Sequence, residues 1–269
     1  MGMDQDGFLS EDVTVHIDQL AKRHLDLFAL AFDVNRFSQQ TMLSLDVHSK
    51  NAQELMVATL LIRCLSHYQA SIILCQRGMI PDARIVARAL IEAMFILVGI
   101  SKKPRLVVEY AQEDEFQRLK AIKKYHQLHS APPPGWSERQ MADFEAEVKK
   151  TIDAKSLKSR LTEDWAREAD MHSWYLSPYF DLSESVHVKS RDISVHIVTN
   201  SESEPKEFKW GPSDEGMRLV LGTVIEAMCV TIQHAARVFK VDINEQAGRF
   251  TASLRGIDLN DRTGDTASN

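Results

Sequence analysis

The chain has 269 residues, of which 44% are hydrophobic, so it is long enough to bury a sizeable core. Its formal net charge of -6 excludes a general attraction to phosphate, and nucleic-acid binding would require a local basic patch. The three cysteines lie in apolar runs without paired metal-type spacing. This pattern argues against a disulfide framework or a zinc site and favours a reducing compartment.

The N-terminal segment and the apolar runs bear on location. Residues 1–11 are polar and acidic and contain neither the basic start nor the apolar stretch of an export signal. The longest apolar run, Ala93 to Ile100, is far shorter than the roughly 20 residues that cross a bilayer. We therefore predict a cytoplasmic protein with no membrane partner.

Helical periodicity dominates the first third of the chain. Apolar residues recur at helical spacing over residues 12–45, which fits one long helix or two shorter ones. Asn51 is a predicted N-cap with Glu54 three residues later, and it begins a helix that runs to Gln76 and ends at Gly78. These elements predict the first helices of a bundle.

The next helices follow after short breaks. Pro81 lies in the first turn of a helix that continues to Gly99, and the turn before it is so short that the two helices must pack antiparallel. Pro104 begins a charged helix that runs to about His129. After the proline-rich loop 131–135, Ser137 begins another amphipathic helix.

The last third mixes helix and strand. A helix is predicted from about 174 to 188, and alternating apolar residues over 191–212 predict a β-hairpin. Ser213 is the predicted N-cap of a last long helix through Val238, and residues 248–269 are predicted to be a polar, disordered tail. The predicted fold is all-α, an antiparallel helical bundle over 1–247 with a small β-hairpin before the last long helix.

Two motifs place polar side chains where a helical bundle should be apolar. Arg84, Arg88 and Glu92 repeat every four residues and so share one face of an otherwise apolar helix. Tyr179, Ser183 and His187 have the same spacing. We expect the two faces to meet across a shared gap.

This juxtaposition supports a catalytic hypothesis. Glu92 would orient His187, His187 would transfer a proton near neutral pH, and Arg88 would hold an anionic phosphate or carboxylate. Ser183 joins them as a predicted catalytic residue, whereas Arg84 and Tyr179 are predicted to bind substrate. Such a set of residues suits phosphodiester cleavage without a metal or another cofactor.

Other interpretations of these residues stay open. Arg88 and Glu92 can be an ion pair that fixes helix register, with Ser183 and His187 bridging helices. Glu184 and His187 form a Glu-x-x-His pair of the kind that holds di-iron centres, but the second pair that such a site needs is missing from the sequence. Ser183 also lacks the setting of a hydrolase nucleophile.

Two basic runs, 118–124 and 149–160, are candidates for contact with an RNA backbone. Acidic residues are interspersed with both runs, so solvated helix faces are the alternative interpretation.

The order of these motifs resembles a known family. The segment 83–93, followed by Tyr179-x-x-x-Ser183-x-x-x-His187 and a hairpin, looks like a bacterial all-helical family known only as a domain of unknown function. The resemblance covers roughly residues 52–240, and it implies a fold rather than an activity.

The arrangement is also loosely similar to HEPN-type helical bundles. Many of these are metal-independent RNases of toxin–antitoxin and phage-defence systems, with an Arg-x4-6-His motif on a late helix. Here the pattern departs, because Arg191 and His196 fall in the predicted hairpin and Arg167 and His172 fall in a segment of undefined structure.

The HEPN resemblance implies a metal-independent RNase, or a protein that binds RNA or a small anionic ligand, in stress response or phage defence. The alternative is a non-catalytic interaction protein whose ionic cluster only locks the bundle. A homo-oligomer is expected in either case.

Overall fold

The structure is a computed structural model that describes residues 3–155, 157, 159–186, 193, 196–200 and 204–260. Within these ranges the chain forms ten helices of seven or more residues. They are α1 (Val13–Arg23), α2 (Leu25–Leu43), α3 (Ala52–Gln76), α4 (Ile80–Lys102), α5 (Leu106–Leu128), α6 (Glu138–Ala154), α7 (Thr162–Glu168), α8 (Phe180–Val186), α9 (Met217–Val238) and α10 (Asn244–Arg255). The predicted all-α bundle is confirmed.

The predicted hairpin is also present, before α9. It consists of β1 (Ile197–Thr199) and β2 (Pro205–Phe208), which pair antiparallel with Ile197 opposite Phe208. The strands are shorter than the alternation over 191–212 predicted, and a register irregularity interrupts the pairing at Val198 and Thr199.

Helices α3, α4 and α9 form the centre of the bundle. Asn51 caps α3 as predicted, since its side chain accepts hydrogen bonds from the backbone N–H groups of Gln53 and Glu54. Gly78 has a φ of +72° and reverses the chain into α4, and the two helices pack along their length. Helix α9 packs against both of them.

The start of α9 corrects the prediction at Ser213. The helix begins four residues later, at Met217, and is preceded by Gly216 with a φ of +79°. Ser213 instead belongs to the turn before the helix, because its backbone N–H donates to the carbonyl oxygen of Gly78 at 3.0 Å. Its hydroxyl accepts a hydrogen bond from the N–H of Glu215.

The predicted polar tail is wrong over residues 248–255. These residues continue α10, whose Ala247, Phe250 and Leu254 are buried at helical spacing against the bundle. The ring of Phe250 lies 5.4 Å from that of Phe37 on α2. The polar composition of this segment concealed a short amphipathic helix, and residues 261–269 lie outside the described ranges.

An ion pair between a fully buried arginine and a partly exposed aspartate joins α9 to α2. Arg218, at the start of α9, is completely buried, and its guanidinium donates to both carboxylate oxygens of Asp26, at 3.1 and 2.7 Å. Its Nε also donates to the carbonyl oxygen of Asp258, beyond α10. The single side chain therefore connects α2, α9 and the C-terminal segment.

By length and composition alone, α3 and α9 would each suffice to cross a membrane. In the fold, 67% of the most apolar stretch of α9 is buried inside the protein. An apolar helix that is mostly buried in this way is typical of the core of a helical bundle.

Helices α5 and α6 extend from the bundle as an arm. Ser137 begins α6 with the predicted capping geometry, reciprocated by Gln140. The far part of the arm has its own small core of Ile122, Met141 and Val148, which is separate from the main one.

The segment predicted as one helix from about 174 to 188 is divided. A helical turn, His172–Trp174, leads into a π-helical stretch, Tyr175–Tyr179, and only then into α8. Pro178 lies inside the π-helical stretch and lacks the N–H that a regular helical hydrogen bond requires. Residues 187 and 188 lie outside the described ranges.

Candidate functional site

Arg88 on α4 is the centre of a polar cluster that reaches across to α8. Its Nε donates to the hydroxyl of Ser183 at 3.0 Å, and its Nη2 donates to the hydroxyl of Tyr179 at 2.5 Å. The guanidinium carbon lies 4.8 Å from the centroid of the Tyr179 ring. The two motifs found in the sequence therefore meet through these side chains.

Glu92 supplies the negative charge of the cluster. Its Oε1 lies 2.9 Å from Nη2 of Arg88 and accepts a hydrogen bond of 2.6 Å from the Tyr179 hydroxyl. Thr162, at the start of α7, donates a longer bond to the same oxygen. Burial raises the pKa of Tyr179, and the hydrogen bond to Glu92 raises it further.

The four residues Arg88, Glu92, Tyr179 and Ser183, here called the Arg88 cluster, are open to solvent on one side. The side chain of Arg88 is 21% exposed and that of Glu92 is 33% exposed, whereas Tyr179 is buried. A ligand can thus reach the charged atoms of Arg88 and Glu92, while the buried Tyr179 hydroxyl keeps hydrogen bonds to both side chains.

Several donors on this face have no acceptor within the described ranges. Arg88 contacts Ser183, Tyr179 and Glu92 through Nε and Nη2, and its Nη1 makes no hydrogen bond to a described residue. One turn earlier, Arg84 donates from Nη2 to the carbonyl oxygen of Asp181 at 2.9 Å. Its Nε is buried without a partner among the described residues. Nη1 of Arg88, on a side chain that is 21% exposed, is therefore the donor that an anion from solvent can meet.

His67 on α3 lies close enough to Glu92 for that carboxylate to act on its pKa, a proximity that the sequence did not reveal. Burial lowers the pKa of His67, the nearby Arg63 lowers it further, and Glu92 partly opposes both. The imidazole is therefore neutral at pH 7 and lies within the electrostatic reach of Glu92. The spacing of four between Arg63 and His67 was the only available signal in the sequence. Placing His67 near Glu92 also required knowing how α3 packs against α4.

An aromatic stack lies beside the Arg88 cluster. The rings of Tyr175 and Tyr179 stack at 5.2 Å, and His172 stacks on Tyr175 at 6.0 Å with an interplanar angle of 11°. His172 also contacts Glu163 at 3.0 Å and is 32% exposed. The π-helical stretch thus produces a row of rings that ends in a half-exposed histidine.

Comparison with known proteins gives a family for this arrangement. Residues 54–205 match the family of unknown function DUF5677, which is more than half of the chain. The protein belongs to the DUF5677 family. No curated protein and no solved structure matches the chain.

All members of the Arg88 cluster lie within the DUF5677 segment, as do Arg84 and His67. The predicted catalytic residue His187 also falls in this segment, but it lies outside the described residues. Its predicted contact with Glu92 therefore stays a prediction.

The two Arg-to-His pairs compared with the HEPN motif differ in what can be described. Arg191 lies outside the described ranges. Arg167 and His172 both contact Glu163, at 2.6 and 3.0 Å. Within the described part of the chain, no group of three or more His, Cys, Asp or Glu side chains is placed to hold a metal ion.

The two basic runs proposed for RNA contact are partly neutralised by neighbouring acids. Arg118 pairs with Asp114 at 2.7 Å, and Lys149 pairs with Glu145 at 2.5 Å. These are exposed pairs within single helices, which is the arrangement of solvated helix faces.

A groove in the DUF5677 segment adjoins the cluster. It has a volume of about 500 Å³ and lies between α3, α4, α5 and α7. Glu92 and Thr162 line one part of it, and Tyr110, Glu113 and Trp165 line another. The groove and the Arg88 cluster therefore share Glu92.

Some charged side chains along this groove form ion pairs, and others do not. Arg160 forms ion pairs with Glu109 and with Glu168, and its guanidinium stacks over the ring of Trp165 at 5.3 Å. Burial raises the pKa of Glu113, although a hydrogen bond from Trp165 and the charge of Arg160 oppose the shift. Neither Glu113 nor the groove was singled out in the sequence.

Proposed function

We propose that this DUF5677 protein binds RNA through the Arg88 cluster and cleaves it without a metal ion. The observation that supports this proposal best is the unused Nη1 of Arg88 on a side chain that is 21% exposed. Arginine guanidinium groups bind phosphate oxygens through paired N–H donors. A phosphate at this position would satisfy donors that the described protein atoms leave unpaired.

The surrounding charges favour an anion over a cation. Arg84 precedes Arg88 by one helical turn on α4, and Arg63 precedes His67 by one turn on α3 and lowers its pKa. Glu92 offsets part of this charge through its ion pair with Arg88. In this proposal Arg84 and Arg88 supply the local basic patch that a chain of net charge -6 requires for nucleic-acid binding.

The aromatic stack supports a nucleic acid rather than an isolated phosphate. Bases of single-stranded RNA bind by stacking on aromatic side chains. The row formed by Tyr179, Tyr175 and His172 ends at a ring that is 32% exposed, where a base can extend the stack.

The chemistry follows general acid–base catalysis. A base removes the proton from the ribose 2′-hydroxyl, and the resulting oxygen attacks the adjacent phosphorus. The 5′-oxygen then leaves with a proton from an acid, which gives a 2′,3′-cyclic phosphate and a 5′-hydroxyl. We assign the base to His67, which lies within reach of the charge of Glu92, and the acid to His187. Arg88 would stabilise the charge on the phosphorane.

The test measures RNA binding and cleavage separately with the full chain in EDTA. Arg88→Gln is expected to weaken binding of a fluorescent single-stranded RNA about tenfold to hundredfold, because a charged hydrogen bond is lost. His67→Ala and His187→Ala are expected to slow cleavage about 100-fold or more while binding is kept. Arg139→Gln is the matched control, because its side chain is 92% exposed on α6.

The second candidate is a non-catalytic interaction protein, in which the Arg88 cluster only stabilises the fold. It is favoured by the hydrogen bonds through which Arg88 joins α4 to Tyr179 and Ser183. In that case Arg88→Gln would lower the melting temperature and leave RNA affinity unchanged. This result, with no cleavage by the wild-type chain, would overturn the RNase proposal.

A further inference from the structure

The groove beside the Arg88 cluster contains a carboxylate without an ion-pair partner. Among the residues that the structure describes, no basic side chain lies within ion-pairing distance of Glu113, while Arg160 next to it is occupied by Glu109 and Glu168. Trp165 and Arg160 lie close enough to Glu113 to lower its pKa, against the larger opposing effect of burial. The carboxylate of Glu113 therefore lines the groove without an ion pair of its own.

The rest of the groove is suited to an apolar group. Met56, Ile96, Ala111 and the ring of Trp165 contribute apolar surface around the carboxylate. The volume of about 500 Å³ is within the range of small-molecule pockets, roughly 300–1,000 Å³. Tyr110 also lines the groove, close enough to Glu113 for the charge of that carboxylate to raise the pKa of the phenol in addition to burial.

An occupant of this groove must therefore combine a positive charge with an apolar body. We propose that the groove binds a small organic molecule with a protonated amine, whose ammonium group pairs with Glu113 and whose apolar part contacts Met56 and Ile96. The ammonium group would also lie beside the ring of Tyr110, where a cation–π interaction adds to the ion pair. This site is separate in chemistry from the anion site at Arg88 and does not depend on the proposed RNase activity.

A small anion is disfavoured in the same groove. Glu92, Glu113 and Asp114 all line it, and its basic residue Arg160 already has two carboxylate partners. Like charges repel strongly where water is partly excluded. The charge of the occupant is thus opposite to that expected at the Arg88 cluster.

Isothermal titration calorimetry with the full chain tests the proposal. The probe is 2-phenylethylamine, and 2-phenylethanol is the uncharged molecule of matching shape. We expect saturable binding of the amine and at least tenfold weaker binding of the alcohol. Glu113→Gln should weaken amine binding about tenfold to hundredfold, because it removes the charge and keeps the size and shape of the side chain.

Two controls make the result specific. Glu147→Gln changes an exposed acid on α6 and should leave amine binding unchanged. Lowering the pH should weaken binding to the wild-type chain as Glu113 is protonated, since the amine stays charged, and Glu113→Gln should lose this dependence.

The possible failures are distinguishable. Equal binding of amine and alcohol, absence of amine binding, or full amine affinity in Glu113→Gln would overturn the amine site. Because Arg88 is untouched by that variant, RNA binding by Glu113→Gln reports on the RNA proposal alone. Loss of both activities with an unchanged circular dichroism spectrum would show that the two sites are one and overturn their separation.

Discussion

The hydroxyl of Tyr179 donates a 2.6 Å hydrogen bond to Glu92, a residue 87 positions earlier in the chain. The same carboxylate oxygen, Oε1, also pairs with Arg88 at 2.9 Å. The second oxygen of Glu92 has no hydrogen-bond partner among the described residues, and the side chain is 33% exposed. The protein thus fixes one oxygen of Glu92 and leaves the other able to accept a proton or a ligand donor.

Replacing Tyr179 with phenylalanine tests how much this contact stabilises the fold. Tyr179→Phe removes the hydroxyl that bonds Arg88 and Glu92, and we expect a loss of about 1–2 kcal/mol in the free energy of unfolding. Urea unfolding followed by circular dichroism measures it. Tyr125→Phe is the control, since its hydroxyl makes no hydrogen bond within the described structure. Equal stability of the two variants would contradict a stabilising role for the contact.

We expect a larger effect at the ion pair between the buried Arg218 and the partly exposed Asp26. Asp26→Ala would leave a fully buried guanidinium without its carboxylate, and we expect a loss of about 3 kcal/mol in unfolding free energy. Asp33→Ala breaks an exposed pair with Arg36 and should cost less than about 1 kcal/mol. Chemical denaturation of both variants gives the comparison, and similar losses would show that burial of Arg218 is unimportant.

Two glycines predict effects of opposite sign. In Gly78→Ala the new Cβ would lie 2.7 Å from the backbone nitrogen of Ser213 at a φ of +72°, and we expect a loss of about 2–4 kcal/mol. Gly248→Ala meets no atom within 4 Å inside α10 and should stabilise by up to about 1 kcal/mol. Thermal melts distinguish the two, and destabilisation by both would refute the predicted packing.

His234 predicts a pH dependence of stability. Burial lowers its pKa from 6.5 to about 4, with further lowering by Arg237 and Lys102. Between about pH 6.5 and pH 4, His234 is therefore protonated in the unfolded chain and neutral in the folded chain. The free energy of unfolding should fall as the pH decreases through this range. His234→Gln should reduce this slope in urea titrations, while its effect at pH 8 measures the changes in packing and in the hydrogen bond to Ser101. An unchanged slope would exclude His234 as its source.

The bundle was predictable because its signals are local. Caps such as Asn51 and Ser137 act within one helical turn, and the short turn at Gly78 allows only an antiparallel pair. Helix α10 was missed because its few apolar residues gain stability only by packing on the bundle. Ser213 was misassigned because its hydrogen bond to Gly78 joins residues far apart in sequence.

The candidate site was predictable only along individual helices. The spacing of four in each motif indicated that Arg88 and Ser183 could meet, and their hydrogen bond is present, whereas their catalytic roles remain predictions. His67, near the cluster on α3, and Glu113, in the adjoining groove on α5, were missed because packing between helices places them there, which no spacing within one helix encodes.

The separate small core of the arm has a consequence for motion. Ile122, Met141 and Val148 bury far less apolar surface than the bundle does, so the distal arm should open at a lower free energy than global unfolding requires. Amide hydrogen exchange would then be fast in α6 and slow in α9. Glu113 lies on α5, at the base of this arm, and lines the neighbouring groove. Local opening of the arm would therefore set the rate at which a molecule enters or leaves that groove.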